Sequence, residues 1–123
     1  MFTFIKKLFK FDRNSLLKHK IMEPKFINHG HKEMAEESNW EINQGDIIVT
    51  VGNFGHGGPT DQIKHLTIQV NSSAGPIIKT VEDIESGGTI TIKSEKRIIV
   101  CTVIKVSFTD RTALLMVTEN KVD

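Results

Sequence analysis

The stretch Arg97-Ile98-Ile99-Val100-Cys101-Thr102-Val103-Ile104-Lys105-Val106-Ser107-Phe108 decides how the chain is read. β-Branched residues dominate it, which favours an extended strand over a helix. Residues two apart share a face of a strand. One face therefore holds Ile98, Val100, Ile104, Val106 and Phe108, and the other holds Ile99, Cys101 and Val103. A strand apolar on both faces is central and covered on both sides. Something must pack on each face: another sheet, helices, or a partner.

Outward from this strand the same period of two recurs. Downstream, Thr109-Asp110-Arg111 turns the chain into Ala113 to Thr118, where Leu114 and Met116 oppose Leu115 and Val117. Upstream, Ser94-Glu95-Lys96 links back to Thr89–Lys93, with Ile90 and Ile92 alternating, and Ser86-Gly87-Gly88 breaks that strand from Ile77–Val81. Asn71 to Pro76 is a turn cluster after Leu66, Ile68 and Val70. Ile47, Val49 and Val51 alternate after Gln44-Gly45-Asp46. These are about six strands with connections too short for parallel crossovers, so the sheet is antiparallel.

The period differs before Trp40. Phe2, Phe4, Ile5, Leu8, Phe9 and Phe11 fall on one side of a helical wheel, and Thr3, Lys6, Lys7 and Lys10 on the other, with Asp12 intruding on the apolar side. A second short helical stretch, capped at Asn14 or Ser15, runs toward Pro24, and a weak third spans about Lys32 to Ser38. The fold expected is α+β: short N-terminal helices on a mainly antiparallel sheet of five or six strands. The alternative is an all-β sandwich or barrel with a helical arm. Residues 1–39 form the basic helical arm and 40–123 the β-rich body, together one domain.

Composition narrows the function classes. The chain has 123 residues, of which 38% are hydrophobic and 25% charged, and a formal net charge of +1. That is the composition of one globular domain and excludes a disordered chain. The near-neutral total hides a division. Residues 1–32 carry eight basic residues against two acidic, a net +6, and residues 33–123 carry eight against thirteen, a net −5. Such asymmetry directs attention to an acidic partner for the basic end. One cysteine, Cys101, cannot form a disulfide within the chain and suits a reducing compartment. No apolar run approaches the roughly 18–20 residues of a membrane span. The expected location is the cytoplasm, with attachment to a membrane surface as the alternative.

Candidate contact residues lie in three places. On the arm, Phe2, Phe4, Lys6, Lys7, Phe9 and Lys10 suit an anionic membrane surface or a protein partner. Gly52-Asn53-Phe54-Gly55-His56-Gly57-Gly58-Pro59 reads as an interaction loop, with Phe54 and His56 as its contacts. Its ending, Gly-Pro-Thr, is not that of a phosphate-binding loop. Glu82, Asp83 and Glu85 make an acidic turn that suits a basic partner. His29-Gly30-His31 with Glu33, Glu36 and Glu37 lacks metal-site spacing, and Cys101 lies in the most apolar strand, where a thiol is inert. No catalytic set stands at catalytic spacing, and no cofactor or metal is implied. The expectation is a non-catalytic protein-binding module of inhibitor, immunity or adaptor type that acts through surface loops. The alternatives are a peripheral membrane protein held by the arm, and a small ligand sensor or enzyme built on the Gly/His loop. Another protein is the expected partner and a sequence-specific nucleic acid is not. An uncovered apolar face would lead to a homodimer.

Overall fold

The computed structural model describes residues 25–57 and 60–122. Nine strands follow one another among them: β1 (Lys25–Ala35), β2 (Ser38–Ile42), β3 (Ile47–Val51), β4 (Phe54–Gly57), β5 (Thr60–Val70), β6 (Ile77–Glu85), β7 (Thr89–Ser94), β8 (Arg97–Ser107) and β9 (Thr112–Lys121). They form two antiparallel sheets. Sheet A has the order β1-β9-β8-β7. Sheet B has β2-β3-β5-β4, with β6 on the other edge of β5. The described chain contains no helix, so the α+β expectation is overturned and the all-β alternative describes these residues.

The boundary of the arm changes with it. Residues 25–39, read from sequence as part of a helical arm, are two strands joined by a turn at Glu36-Glu37: β1 lies along β9 from Lys25↔Lys121 to Ala35↔Thr112, and β2 begins at Ser38. The weak helical signal over Lys32–Ser38 yields to tertiary pairing, because β9 needs an edge partner. The amphipathic reading of Phe2–Phe11, with Phe2, Phe4, Lys6, Lys7, Phe9 and Lys10, lies outside the described residues.

The core lies between the sheets, and the period of two fixes which side chains enter it. Ile47, Val49 and Val51 of β3 face it, paired across the ladder with Val70, Ile68 and Leu66 of β5. Sheet A contributes Ile90 and Ile92 from β7, Ile99, Cys101 and Val103 from β8, and Ala113, Leu115 and Val117 from β9. β8 then skips a residue: Leu115 pairs Val103 but Leu114 pairs Lys105, a bulge that exposes Ile104 and returns Val106 to the core.

Apart from Gly52-Asn53, which carries β3 on into β4 in the same direction along β5, the connections divide between two ends. At one end lie the β2–β3, β5–β6 and β7–β8 connections. At the other lie β1–β2, β4–β5, β6–β7 and β8–β9. β1, the first described strand, and β9, the last, lie side by side.

Candidate functional site

The two ends are chemically different. The first is locked by a buried ionic network. Glu119 continues the inward parity of Leu115 and Val117, so its carboxylate enters the core end and its side chain is only 1% exposed. Arg97, diagonal to it across the β8–β9 ladder, donates from Nε to Oε2 at 2.5 Å and from Nη2 to Oε1 at 3.1 Å. The same guanidinium donates to both Asp46 oxygens, at 3.1 and 2.7 Å, in the β2–β3 turn. His29 Nε2 completes the set with a 2.7 Å bond to Glu119 Oε1. Burial pushes the Glu119 carboxyl up, but the hydrogen bonds from Arg97 and His29 outweigh it and hold the group below the usual range. The bonds to Glu119 and then Asp46 raise the Arg97 guanidinium against the opposing effect of burial, so it stays charged. This end joins sheet A to sheet B.

His29 reaches Glu119 because β1 carries a bulge there. Thr118 pairs Asn28 and Val117 pairs Gly30, which leaves His29 as the extra residue. Gly30 takes φ +100°, a conformation that favours glycine, and its N–H donates to Asn28 Oδ1 at 2.9 Å. The bulge therefore separates the neighbouring histidines, with His29 inward on Glu119 and His31 exposed. Among the described residues no group of three or more His, Cys, Asp or Glu is placed to hold a metal ion.

The second end carries a linked row of aromatic and charged side chains. His56 of β4 donates from Nδ1 to Asp61 Oδ1 of β5 at 2.7 Å. Asp61 is aimed by its other oxygen, which accepts the Phe108 backbone N–H at 2.8 Å. The His56 ring packs against Phe108 with centroids 4.3 Å apart. The Arg111 guanidinium lies 4.5 Å from the centroid of the same ring. Arg111 also donates to both oxygens of Glu36 at 3.2 Å, and Glu36 accepts the Phe54 N–H at 2.8 Å. His56 and Arg111 remain 54% and 57% exposed. Three turns therefore meet in one rim, Glu36–Arg111–Phe108–His56–Asp61. Beside it is a hollow of about 290 Å³ lined by Glu33, Lys105, Ser107, Asp110, Thr112 and Leu114.

The sequence-derived candidates are placed unevenly. His56 stands in the rim. Phe54 is two residues before it in sequence, but its ring is buried in the core and only its backbone serves the rim. Of the segment read as a loop from Gly52, Phe54–Gly57 is strand and pairs with β5. Glu82, Asp83 and Glu85 belong to strand β6 and not to a turn. Glu82 faces His65 at 3.7 Å and Asp83 meets Lys64 at 3.2 Å, on a face of sheet B away from the rim pairs. Sequence reasoning missed Glu36, Asp61, Phe108 and Arg111 as one set. They come together across 47 and 75 residues of chain, and no spacing announces that.

Compared with protein-family models, with curated proteins and with solved structures, the chain matches none. Among the described residues there is no helix long and apolar enough to cross a membrane.

Proposed function

We propose that the protein is a non-catalytic binding module of inhibitor, immunity or adaptor type, and that it grips a protein partner with its Glu36–His56–Arg111 end. The observation that carries this reading is the rim itself. Aromatic residues and Arg are enriched at interfaces, and Arg is among the residues that carry most of the binding energy. Here Arg111 and His56 are half exposed yet already held in place around the partly buried Phe108: Arg111 by Glu36 and Phe108, His56 by Asp61 and Phe108. Side chains ordered beforehand lose less entropy on binding. The buried network at the opposite end keeps the sandwich rigid behind them. The reading includes a reducing compartment such as the cytoplasm, on the strength of the free, buried Cys101.

A photo-crosslinking residue in place of Asp110, beside the rim, tests this. The protein it captures is then titrated against the unmodified chain. Arg111→Ala and Phe108→Ala are expected to weaken the complex at least tenfold each, while Glu95→Ala at the far end leaves it unchanged. Equal affinity for all three variants overturns the reading.

One observation favours a small-ligand sensor or enzyme as a second reading. A carboxylate on Nδ1 leaves Nε2 of His56 as an acceptor on an exposed ring, the arrangement of a general base. Ligand-induced NMR shifts at His56 that vanish in Asp61→Asn would support it. A panel of anions and nucleotides that leaves His56 unmoved would count against it.

A further inference from the structure

The outer faces of the two sheets do not match. Sheet B presents Thr50, Thr67, Thr80, Gln69, His65 and Glu82 in register, with Thr67 and Thr80 hydrogen bonded to each other at 2.9 Å. Ile48 and Ile78 flank Gln69 in the same row, and Ile78, 60% exposed, is the one large apolar side chain left bare on this otherwise mostly polar face among the described residues. Sheet A instead presents Phe26, paired across β9 Asn120 with Ile98, then Val100, Met116 and Leu114 on the same side. Phe26 is 63% exposed and Ile98 40%, and the other three are half buried. At the Ile98 end is a hollow of about 720 Å³ whose lining includes Lys93, Lys96, Ile98, Asn120 and Val122. This is the second apolar face that the Arg97–Phe108 pattern requires to be covered.

We infer that the occupant of this face is the chain's own segment 1–24. Its point of attachment is right. Residue 24 joins Lys25, which pairs Lys121, itself paired with Arg97 on the wall of the hollow. The segment enters at the end where Phe26 and Ile98 are bare. Its length is right as well. Four strands span about 14 Å from first to last at ~4.8 Å each, and ten residues at helical rise, Phe2 to Phe11, cover about 15 Å. Residues 12–24 are enough to bring that stretch back across the sheet. Its chemistry fits: Phe2, Phe4, Ile5, Leu8, Phe9 and Phe11 share one side of the wheel. Asp12, the charge that interrupts this side, would meet Lys93 or Lys96 at the hollow. Lys6, Lys7 and Lys10 then point to solvent and give the covered face a basic outer surface.

The test uses the full chain. A spin label is attached at Leu8→Cys, Cys101 being buried and unreactive, and broadening of backbone amides is followed by NMR. Amides of Val100, Met116 and Thr118 are expected to lose at least half their intensity within one labelled molecule. Mixing labelled chains with isotope-enriched unlabelled ones should leave them sharp. Broadening only in the mixture would replace the segment by a second copy of the chain. Broadening only with vesicles containing phosphatidylglycerol would replace it by a lipid surface. Sharp amides throughout would also overturn the inference. As a second measurement, Ile98→Asp should remove the protection of residues 1–24 from amide exchange at least tenfold while Val117 stays protected. Unchanged exchange in the segment, with Val117 still protected, would likewise overturn it.

Discussion

Arg97 and Glu119 lie diagonally across the β8–β9 ladder and are joined by two hydrogen bonds, at 2.5 and 3.1 Å. The carboxylate is almost wholly removed from water, so its charge depends on this partner. Taking one member of a buried pair away leaves the other uncompensated, which costs about 3–5 kcal/mol. Arg97→Met is expected to lower stability by about that amount in urea unfolding. Asp46→Asn, at a more exposed site, should cost about 1 kcal/mol or less.

The same pair sets an acid limit. The folded-state pKa of Glu119 is depressed, with the bonds from Arg97 and His29 prevailing over burial. The stabilisation is therefore complete above the unfolded carboxyl value, about 4.3. It is lost as pH falls through the lower, folded one. Unfolding free energy should drop between pH 5 and pH 3, and Glu119→Gln should flatten that slope while lowering stability at pH 7. A slope unchanged by the substitution would assign the acid sensitivity to other carboxyls.

Cys101 is fully buried, and burial pushes its thiol up to about 12. A thiol that is neither ionised nor accessible does not react at neutral pH. A disulfide exchange reagent at pH 8 is expected to label none of the native protein over minutes and one thiol per chain in urea. Rapid native labelling would show that β8 opens far more often than its central place allows.

Two glycines, Gly88 in the β6–β7 connection and Gly55 in β4, should respond to different degrees. A Cβ at Gly88 would stand 2.5 Å from Cγ1 of buried Ile84 and 3.1 Å from the Glu85 carbonyl oxygen. Gly88→Ala is expected to cost about 1–3 kcal/mol, the usual penalty of overpacking. At Gly55 the nearest atom is Lys64 Cε, also at 2.5 Å, near the end of a flexible side chain. Moving it disturbs only the exposed Lys64–Asp83 pair, so Gly55→Ala should cost about 1 kcal/mol or less. Parallel thermal melts check the difference.

The strands with clean alternation were legible in the sequence. Ile47, Val49 and Val51, or Leu66, Ile68 and Val70, are buried where the period of two puts them. β1 was not legible. Its Asn28-His29-Gly30 bulge breaks the alternation, and as an edge strand it exposes Lys32 and Glu33, so polarity resembled a helix surface. His56 stands out in the sequence because glycines flank it. Its partners do not, since Asp61, Phe108 and Arg111 are brought to it only by the closing of two sheets. Glu119 had a signal that parity alone could read: it stands two residues after Val117 and four after Leu115, on the buried side.

The side-by-side placement of β1 and β9 also orders events during synthesis. His29 and Glu119 are 90 residues apart. β1 emerges from the ribosome before the other described strands and finds its neighbour only after the seven strands between them have been translated. Until then Phe26 and a full row of backbone donors and acceptors stand without their pairing strand. Contacts this distant in sequence slow folding, and an unpaired edge invites other chains. The nascent protein is thus most vulnerable to aggregation before β9 arrives, and its dependence on chaperones should be concentrated in that interval.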